Sequence, residues 1–219
     1  MSVVTIERKV LEKNDDVARR NREMFAQHRI FVINLVSSPG SGKTSLLERT
    51  LEYLRTSVRV AVVEGDVQTD FDAQRIAKLD VPVVQIVTNG GCHLEAKLVQ
   101  DSLSAFDLEK IDLLVIENVG NLVCPANYDL GEAMKVVLVS TTEGDDKPLK
   151  YPGMFHNASV MIVNKIDLVP YVNSNPETIK RNALQINPAL TIFETSCSTN
   201  KGIPEWCEWL KQQTKKSGA

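Results

Sequence analysis

One stretch limits the fold more than any other: Ile30 to Thr44, which reads IFVINLVSSPGSGKT. Its first seven residues are mostly apolar and partly β-branched, the pattern of a buried strand. A glycine-rich turn follows, then Lys43-Thr44 and a helix-like Ser45–Tyr53. Strand, glycine-rich loop and helix in that order are the context of a phosphate-binding P-loop. Gly40 and Gly42 let backbone N–H groups approach phosphate oxygens with no Cβ in the way, and Ser41 and Ser45 flank them in the same cradle. Lys43 can reach β- and γ-phosphates, and Thr44 can ligate magnesium. The helix that starts there adds its positive end. The usual spacing is G-x-x-x-x-G-K-[ST]; Ser37 stands at its first position. That departure relaxes the turn at the strand end and leaves the phosphate cradle intact.

The length of 219 residues suits a single domain over residues 1–219, with residues 1–28 as an N-terminal helical extension. Apolar residues are 43% of the chain, enough for a core around such a loop. The formal net charge of −3 gives no overall basic field for nucleic acid. No apolar run approaches the ~20 residues of a membrane span. The N-terminus, MSVVTIERKVLEKNDD, lacks the apolar region of a signal peptide, so a cytoplasmic protein is expected. In that reducing compartment Cys92, Cys124, Cys197 and Cys207 suit buried thiols or metal ligands rather than disulfides.

Residues 4–27 read as a helix, with Val10, Leu11, Val17, Ala18 and Phe25 as an imperfect apolar stripe; it either packs on the domain edge or serves as a partner-binding arm. Further strands are expected at Val58–Val63, Val83–Val87, Asp112–Ile116, Val136–Ser140, Ser159–Val163 and Leu190–Phe193. Helices are expected at Ala73–Leu79, Leu94–Phe106, Pro176–Gln185 and Pro204–Gln213, with a Gly-, Asp- and Pro-rich loop at 142–153. Apolar strands alternating with helices predict an α/β fold: a mostly parallel sheet flanked by helices on both faces, as in P-loop NTPases. Ligands then belong at the carboxyl ends of the strands.

Asn164-Lys165-Ile166-Asp167 follows the strand Ser159–Val163, about 120 residues after the P-loop. It resembles the guanine-reading N-K-x-D motif of GTPases. Asp167 can accept from N1–H and the 2-amino group of guanine; adenine offers neither. A site built on such pairs discriminates by about 10⁴-fold or more. The Lys165 stem can lie against the base, and Asn164 can bond the ring edge and brace nearby loops. Ser196-Cys197-Ser198, after the last strand, stands where GTPases close a loop over the base. Glu117-Asn118-Val119-Gly120 ends an apolar strand, where Glu117 can hold magnesium and Gly120 can let the backbone approach the γ-phosphate. Asp66, at the end of the second strand, is the other acid favoured for magnesium, ahead of Asp70 and Asp72. No Gln or Arg is placed as a catalytic group; Glu64 or Asp66 could orient water.

Cys92 and His93 are adjacent in a Gly-Gly turn, and Cys124 follows Gly120-Asn121-Leu122-Val123. Three soft or borderline donors suit zinc or nickel, not magnesium. They are one short of a closed tetrahedral set, so a second copy of the chain could complete it across a two-fold interface. The competing reading keeps the two cysteines as small buried residues and His93 as a helix cap. His28, His156, Cys197 and Cys207 lack a comparable setting.

The ordered set SSPGSGKT, VVEGDVQTDFDA, GGCHLEA, IENVGNLVCP, EGDDKPLKYP and NKIDL, over about residues 10–210, resembles the HypB family of hydrogenase-maturation GTPases, in the SIMIBI class. The resemblance implies slow GTP hydrolysis with Lys43, Thr44, Asp66, Glu117 and Gly120 at the reaction centre. It also implies bound GTP or GDP with Mg²⁺, and Ni²⁺ or Zn²⁺ at Cys92, His93 and Cys124. A nucleotide-dependent homodimer, a HypA-type nickel chaperone and a [NiFe]-hydrogenase large-subunit precursor are the implied partners. Some family members carry an N-terminal Cys-x-x-Cys-Gly-Cys site or a histidine-rich tract. The first 30 residues here hold no cysteine and one histidine, His28, so metal handling is expected to rest on Cys92, His93 and Cys124. A urease-type nickel-insertion GTPase and a non-hydrolysing GTP-sensing scaffold are the alternatives.

Overall fold

A computed structural model describes residues 6–217, and the side chains of 11–216. The expected helix start at Val4 and Thr5 and the Val10 side chain lie outside the described residues. The elements run α1 (Ile6–Gln27), β1 (Phe31–Ser37), α2 (Lys43–Leu54), β2 (Val60–Asp66), α3 (Phe71–Ala77), β3 (Val83–Val87), α4 (Ala96–Ser102) and β4 (Leu113–Glu117). They continue with β5 (Met134–Ser140), α5 (Lys147–Lys150), α6 (Pro152–Asn157), β6 (Val160–Asn164), α7 (Pro176–Ile186), β7 (Thr191–Glu194) and α8 (Ile203–Ser217). Short 3₁₀ turns occupy Cys124–Asn127 and Ile166–Tyr171.

The strands form one seven-stranded sheet in the order β3-β2-β4-β1-β5-β6-β7. Every pairing is parallel. Parallel strands covered on both faces read as continuous apolar runs, which is why VRVAVV and DLLVI were legible. The pleat divides each run between two cores. Ile33 and Leu35 of β1 and Leu113 and Val115 of β4 face α2 and α8, with Leu47, Leu51 and Trp206. Val32 of β1 and Leu114 and Ile116 of β4 face the other side, with Phe25 of α1 and Val99 of α4. Val137, Val139, Met161 and Val163 continue that second face under α6 and α7, with Phe155 and Ala183.

Two expectations are corrected. The segment 142–153 is a loop only to 146: α5 forms within it and α6 begins at its end, each with a proline in its first turn. Proline suits that position, because its missing N–H has no helical partner to lose. The helix expected at Leu94–Phe106 starts later, at Ala96, because Cys92–Glu95 belong to the turn before it; a 3₁₀ turn carries it on to Ala105. The N-terminal helix packs against α4 and, through Phe25, on the face of the sheet over its central strands. Its buried Asn21 donates to the carbonyls of Ala96 and Leu130, and its Asn14 accepts from the Ala96 N–H. Among the described residues no helix is long and apolar enough to cross a membrane.

Candidate functional site

The motif loops all leave carboxyl ends of strands, and the switch in strand order at β1 sets them around one cleft. Its two adjoining parts measure about 490 Å³, beside Lys43, Thr44, Glu117 and Gly120, and about 400 Å³, beside Asn164, Asp167 and Cys197. A roomier cleft of about 580 Å³ lies at the amino ends of the strands among His28, Arg59, Glu109 and Asp112. Arg59 pairs with Asp112 there, His28 Nδ1 lies 2.8 Å from Glu109 Oε1, and no motif residue lines it.

The phosphate loop runs from Ser38 to Gly42 and feeds α2 at Lys43. Gly42 is left-handed (φ 98°), and a Cβ there would lie 2.7 Å from the Asn164 amide nitrogen. The packing is that close because N-K-x-D braces the loop: Asn164 Nδ2 donates to the Ser41 carbonyl (3.0 Å) and Lys165 Nζ to the Gly40 carbonyl (2.7 Å). Lys43 Nζ donates to Ser37 Oγ (3.1 Å), so the serine at the loop's first position holds the lysine. Ser41 Oγ donates to Glu143 Oε2 (2.8 Å), and Lys147 Nζ to Ser38 Oγ (3.0 Å). Sequence reasoning missed Glu143 and Lys147, which brace the loop from the segment read as irregular.

In the base half, Ser198 Oγ donates to Asp167 Oδ2 (2.8 Å). The Ser196 hydroxyl, then Ser198, holds the Asp167 carboxyl below its ordinary value, so the group stands as a charged acceptor. Cys197 is half-buried with its Sγ 3.6 Å from Asn164 Oδ1, and burial pushes the thiol up. Ser45 accepts from Arg75 Nη2 at 3.3 Å.

Beside Thr44 the acids divide differently from expectation. β2 and β4 pair with Glu64 opposite Glu117, on the α2 side of the sheet. Carboxylate oxygens of Glu64, Asp72 and Glu117 lie within 4.8 Å of one another. Thr44 Oγ1 donates to Glu117 Oε1 (2.8 Å), while Oε2 of Glu64 and of Glu117 are buried without a hydrogen-bond partner. Burial, then the neighbouring Glu117 charge, pushes Glu64 up to about 11. Two dry carboxylates forced together with oxygens to spare fit a hard divalent cation. Asp66 lines the cleft, yet its Oδ1 is taken by the Gln68 and Thr69 amides and the Thr69 hydroxyl. Burial works to raise the Asp66 carboxyl, but these donors together hold it below its ordinary value. Gly120 abuts the phosphate loop: a Cβ there would meet Pro39 at 3.1 Å.

About one loop away, Cys92, His93 and Cys124 bring their donor atoms within 4.8 Å of one another. The sulfurs of Cys92 and Cys124 are 2.8 Å apart, and Cys92 Sγ lies 3.5 Å from His93 Nδ1. The His93 ring packs on Tyr128 (centroids 3.8 Å apart), and its buried Nε2 has no hydrogen-bond partner. Burial lowers the His93 pKa, which keeps the imidazole neutral and its lone pair free for a metal. Asn121 ties the two loops, donating to the Cys92 carbonyl (3.2 Å) and accepting from the Val123 N–H (2.8 Å). Two thiols with a neutral imidazole beside them fit a borderline-soft ion such as nickel or zinc. His93 is not a helix cap; Glu95 precedes α4.

A family model described as the CobW/HypB/UreG nucleotide-binding domain matches residues 31–194. The hydrogenase maturation factor HypB of Azotobacter vinelandii is 51% identical, over 96% of this chain and 70% of the relative. That of Escherichia coli K12 is 49% identical, over 96% and 73%. The hydrogenase/urease maturation factor HypB of Helicobacter pylori is 41% identical, over 98% and 89%. Among solved structures, HypB of Archaeoglobus fulgidus superimposes with a TM-score of 0.87 at 37% identity, over 93% of this chain and 99% of that one. HypB of Helicobacter pylori in complex with nickel gives 0.87 at 41% identity, over 93% and 96%. The chain belongs to the HypB family of hydrogenase maturation factors.

Proposed function

We propose that this protein is a GTP-hydrolysing nickel carrier whose metal site answers to the bound nucleotide. The observation that carries the reading is a spacing. Glu117, bonded to Thr44 of the phosphate loop, and Cys124, beside Cys92 and His93, sit on one short segment. In this reading Gly40 to Ser45 cradle the phosphates, and Lys43 with the backbone amides stabilises charge developing at the γ-phosphate. Thr44, Glu117, Glu64 and Asp72 hold magnesium, which neutralises phosphate charge; Asp66 remains at the rim. Asp167 reads guanine, with Lys165, Ser196 and Cys197 around the base.

Cys92, His93 and Cys124 bind the cargo ion, nickel or zinc, and a second copy of the chain completes the donor set. The Helicobacter pylori relative gives weight to a role in urease as well as hydrogenase maturation, since its name carries both. A HypA-type chaperone would supply nickel and a hydrogenase large-subunit precursor would receive it, in the cytoplasm, where thiols stay reduced.

The test is nickel and zinc titration of the purified protein with GDP and with a non-hydrolysable GTP analogue, with light scattering on the same samples. The reading expects a site lost in the Cys92→Ala/Cys124→Ala variant, with affinity or stoichiometry that changes with nucleotide. Metal binding indifferent to both would leave a nucleotide-binding protein without the carrier role. Phosphate release abolished by Lys43→Ala would set aside the non-hydrolysing scaffold.

A further inference from the structure

Where β4 ends, its last residue and the one that follows turn to opposite faces of the sheet. Glu117 points to the α2 side, where Thr44 donates to it. Asn118 follows directly, is 1% exposed, and turns to the other side, toward Leu94. There its Oδ1 accepts from two backbone amides: Leu94, the residue after His93 (3.1 Å), and Val119, the residue before Gly120 (3.0 Å). Its Nδ2 donates to Asn34 Oδ1 (3.2 Å), and its own N–H to the Leu35 carbonyl of β1 (3.0 Å). Asn118 is thus fastened to the strand that carries the phosphate loop, to the segment that reaches it and to the turn that carries two of the metal donors.

The hydrogen bonds continue inward. Asn34 Nδ2 donates to Glu132 Oε1 (3.1 Å). Glu132 also accepts from the Leu130 N–H (2.7 Å) and lies 3.8 Å from Lys135 Nζ. Lys135 stands beside Asn34 across the β1–β5 pairing, and its buried ammonium donates to the carbonyls of Pro125, Ala126 and Tyr128. The first two follow Cys124 directly, and Tyr128 is the ring under His93. One buried chain of side chains therefore runs from the Leu94 amide to the loop after Cys124, with Asn118 at the junction with the nucleotide segment. In a dry interior such a chain has few alternative arrangements, because each broken bond strands a polar group.

We propose that Asn118 is the positioning residue that couples the nucleotide site to the metal site. A shift of Val119 and Gly120 against the phosphate loop pulls on the same carboxamide oxygen that holds the Leu94 amide, and so moves Cys92 and His93 relative to Cys124. This rests on the carrier reading above. Two sites linked in this way share one coupling factor, typically about 5- to 150-fold.

The test is the ratio of nickel affinities in the GDP and GTP-analogue forms, measured on the full chain for wild type, Asn118→Ala and Asn118→Asp. The Asp variant keeps the acceptor facing Leu94. The expected result is a wild-type ratio that falls to within about twofold of unity in Asn118→Ala and survives in Asn118→Asp, with nickel still bound in the GDP form. In parallel, amide exchange of Leu94 and Val119 in the wild-type protein is expected to change in step between the two nucleotide forms. That arm decides the matter if Asn118→Ala does not fold. A wild-type ratio retained in Asn118→Ala, or a Leu94 amide indifferent to nucleotide, overturns the role of Asn118 alone. A wild-type ratio of one overturns the carrier reading and this inference with it.

Discussion

Replacing one carboxyl of the acid pair beside the phosphate loop by an amide should make the nucleotide-free protein more stable. Glu64 is 2% exposed and sits opposite Glu117 across the β2–β4 pairing. Burial, then Glu117, raises its carboxyl from 4.5 to about 11, so across that range the folded protein holds a proton that the unfolded chain releases. The sign follows: the native state binds more protons, so stability declines as pH rises above 4.5, by about 1.4 kcal/mol per pH unit for one proton. At about pH 7.5 the accumulated cost approaches about 4 kcal/mol. Glu64→Gln, which keeps the shape and needs no proton, should therefore gain about 2–4 kcal/mol at about pH 7.5 and little at about pH 5.

Urea unfolding in EDTA, from mildly acidic to mildly alkaline pH, reads this directly. The difference between variant and wild type isolates Glu64 from the histidines, which titrate in both. Magnesium with a GTP analogue should reverse the order, because the wild-type carboxylates then have a cation to hold and the substitution removes one ligand. Equal stability of variant and wild type at every pH, or a difference that does not grow with pH, would refute the electrostatic account of the pair.

Three other outcomes follow from single contacts. Asp167→Ala should cost GTP at least about 10²-fold in affinity and leave ATP binding unchanged, as read by competition, because the guanine N–H groups lose their acceptor. Lys135→Met should destabilise by about 3–5 kcal/mol in thermal or urea unfolding, because it strands Glu132 and three buried carbonyls. Trp206→Ala should cost about 3–5 kcal/mol by the same assay, since Trp206 is 2% exposed, packs on Phe193 and Trp209, and donates to Thr50 Oγ1; a loss under about 1 kcal/mol would mean the α8 core is not the one described.

What could be read in the chain divides along the reach of each signal. Local periodicity gave away the strands, because a strand buried on both faces must be apolar at every position, and contiguous motifs such as GSGKT and NKID carry their geometry within a few residues. Cys92, His93 and Cys124 were legible as donors by chemical type. The acid pair was not. Glu64 and Glu117 are 53 residues apart and become neighbours only because β2 pairs with β4, a fact of strand order that no local pattern encodes. Asp66 was legible as an acid that ends its strand; that the amides of its own turn donate to its Oδ1 was not.

Lys135 did leave a signal, a lone lysine heading the buried run KVVLVS, since a charge in a parallel strand needs partners waiting for it. Asn118 left a subtler one. Where a strand ends at Ile116-Glu117 and Asn118 carries on its extended path, alternation sets the acid and the amide on opposite sides of the sheet. If one side is the nucleotide's, the other must be served by the amide. The route of the proposed coupling thus begins in two adjacent letters, and what lies on the far side, the Leu94 amide behind His93, is a contact that only the folded chain makes.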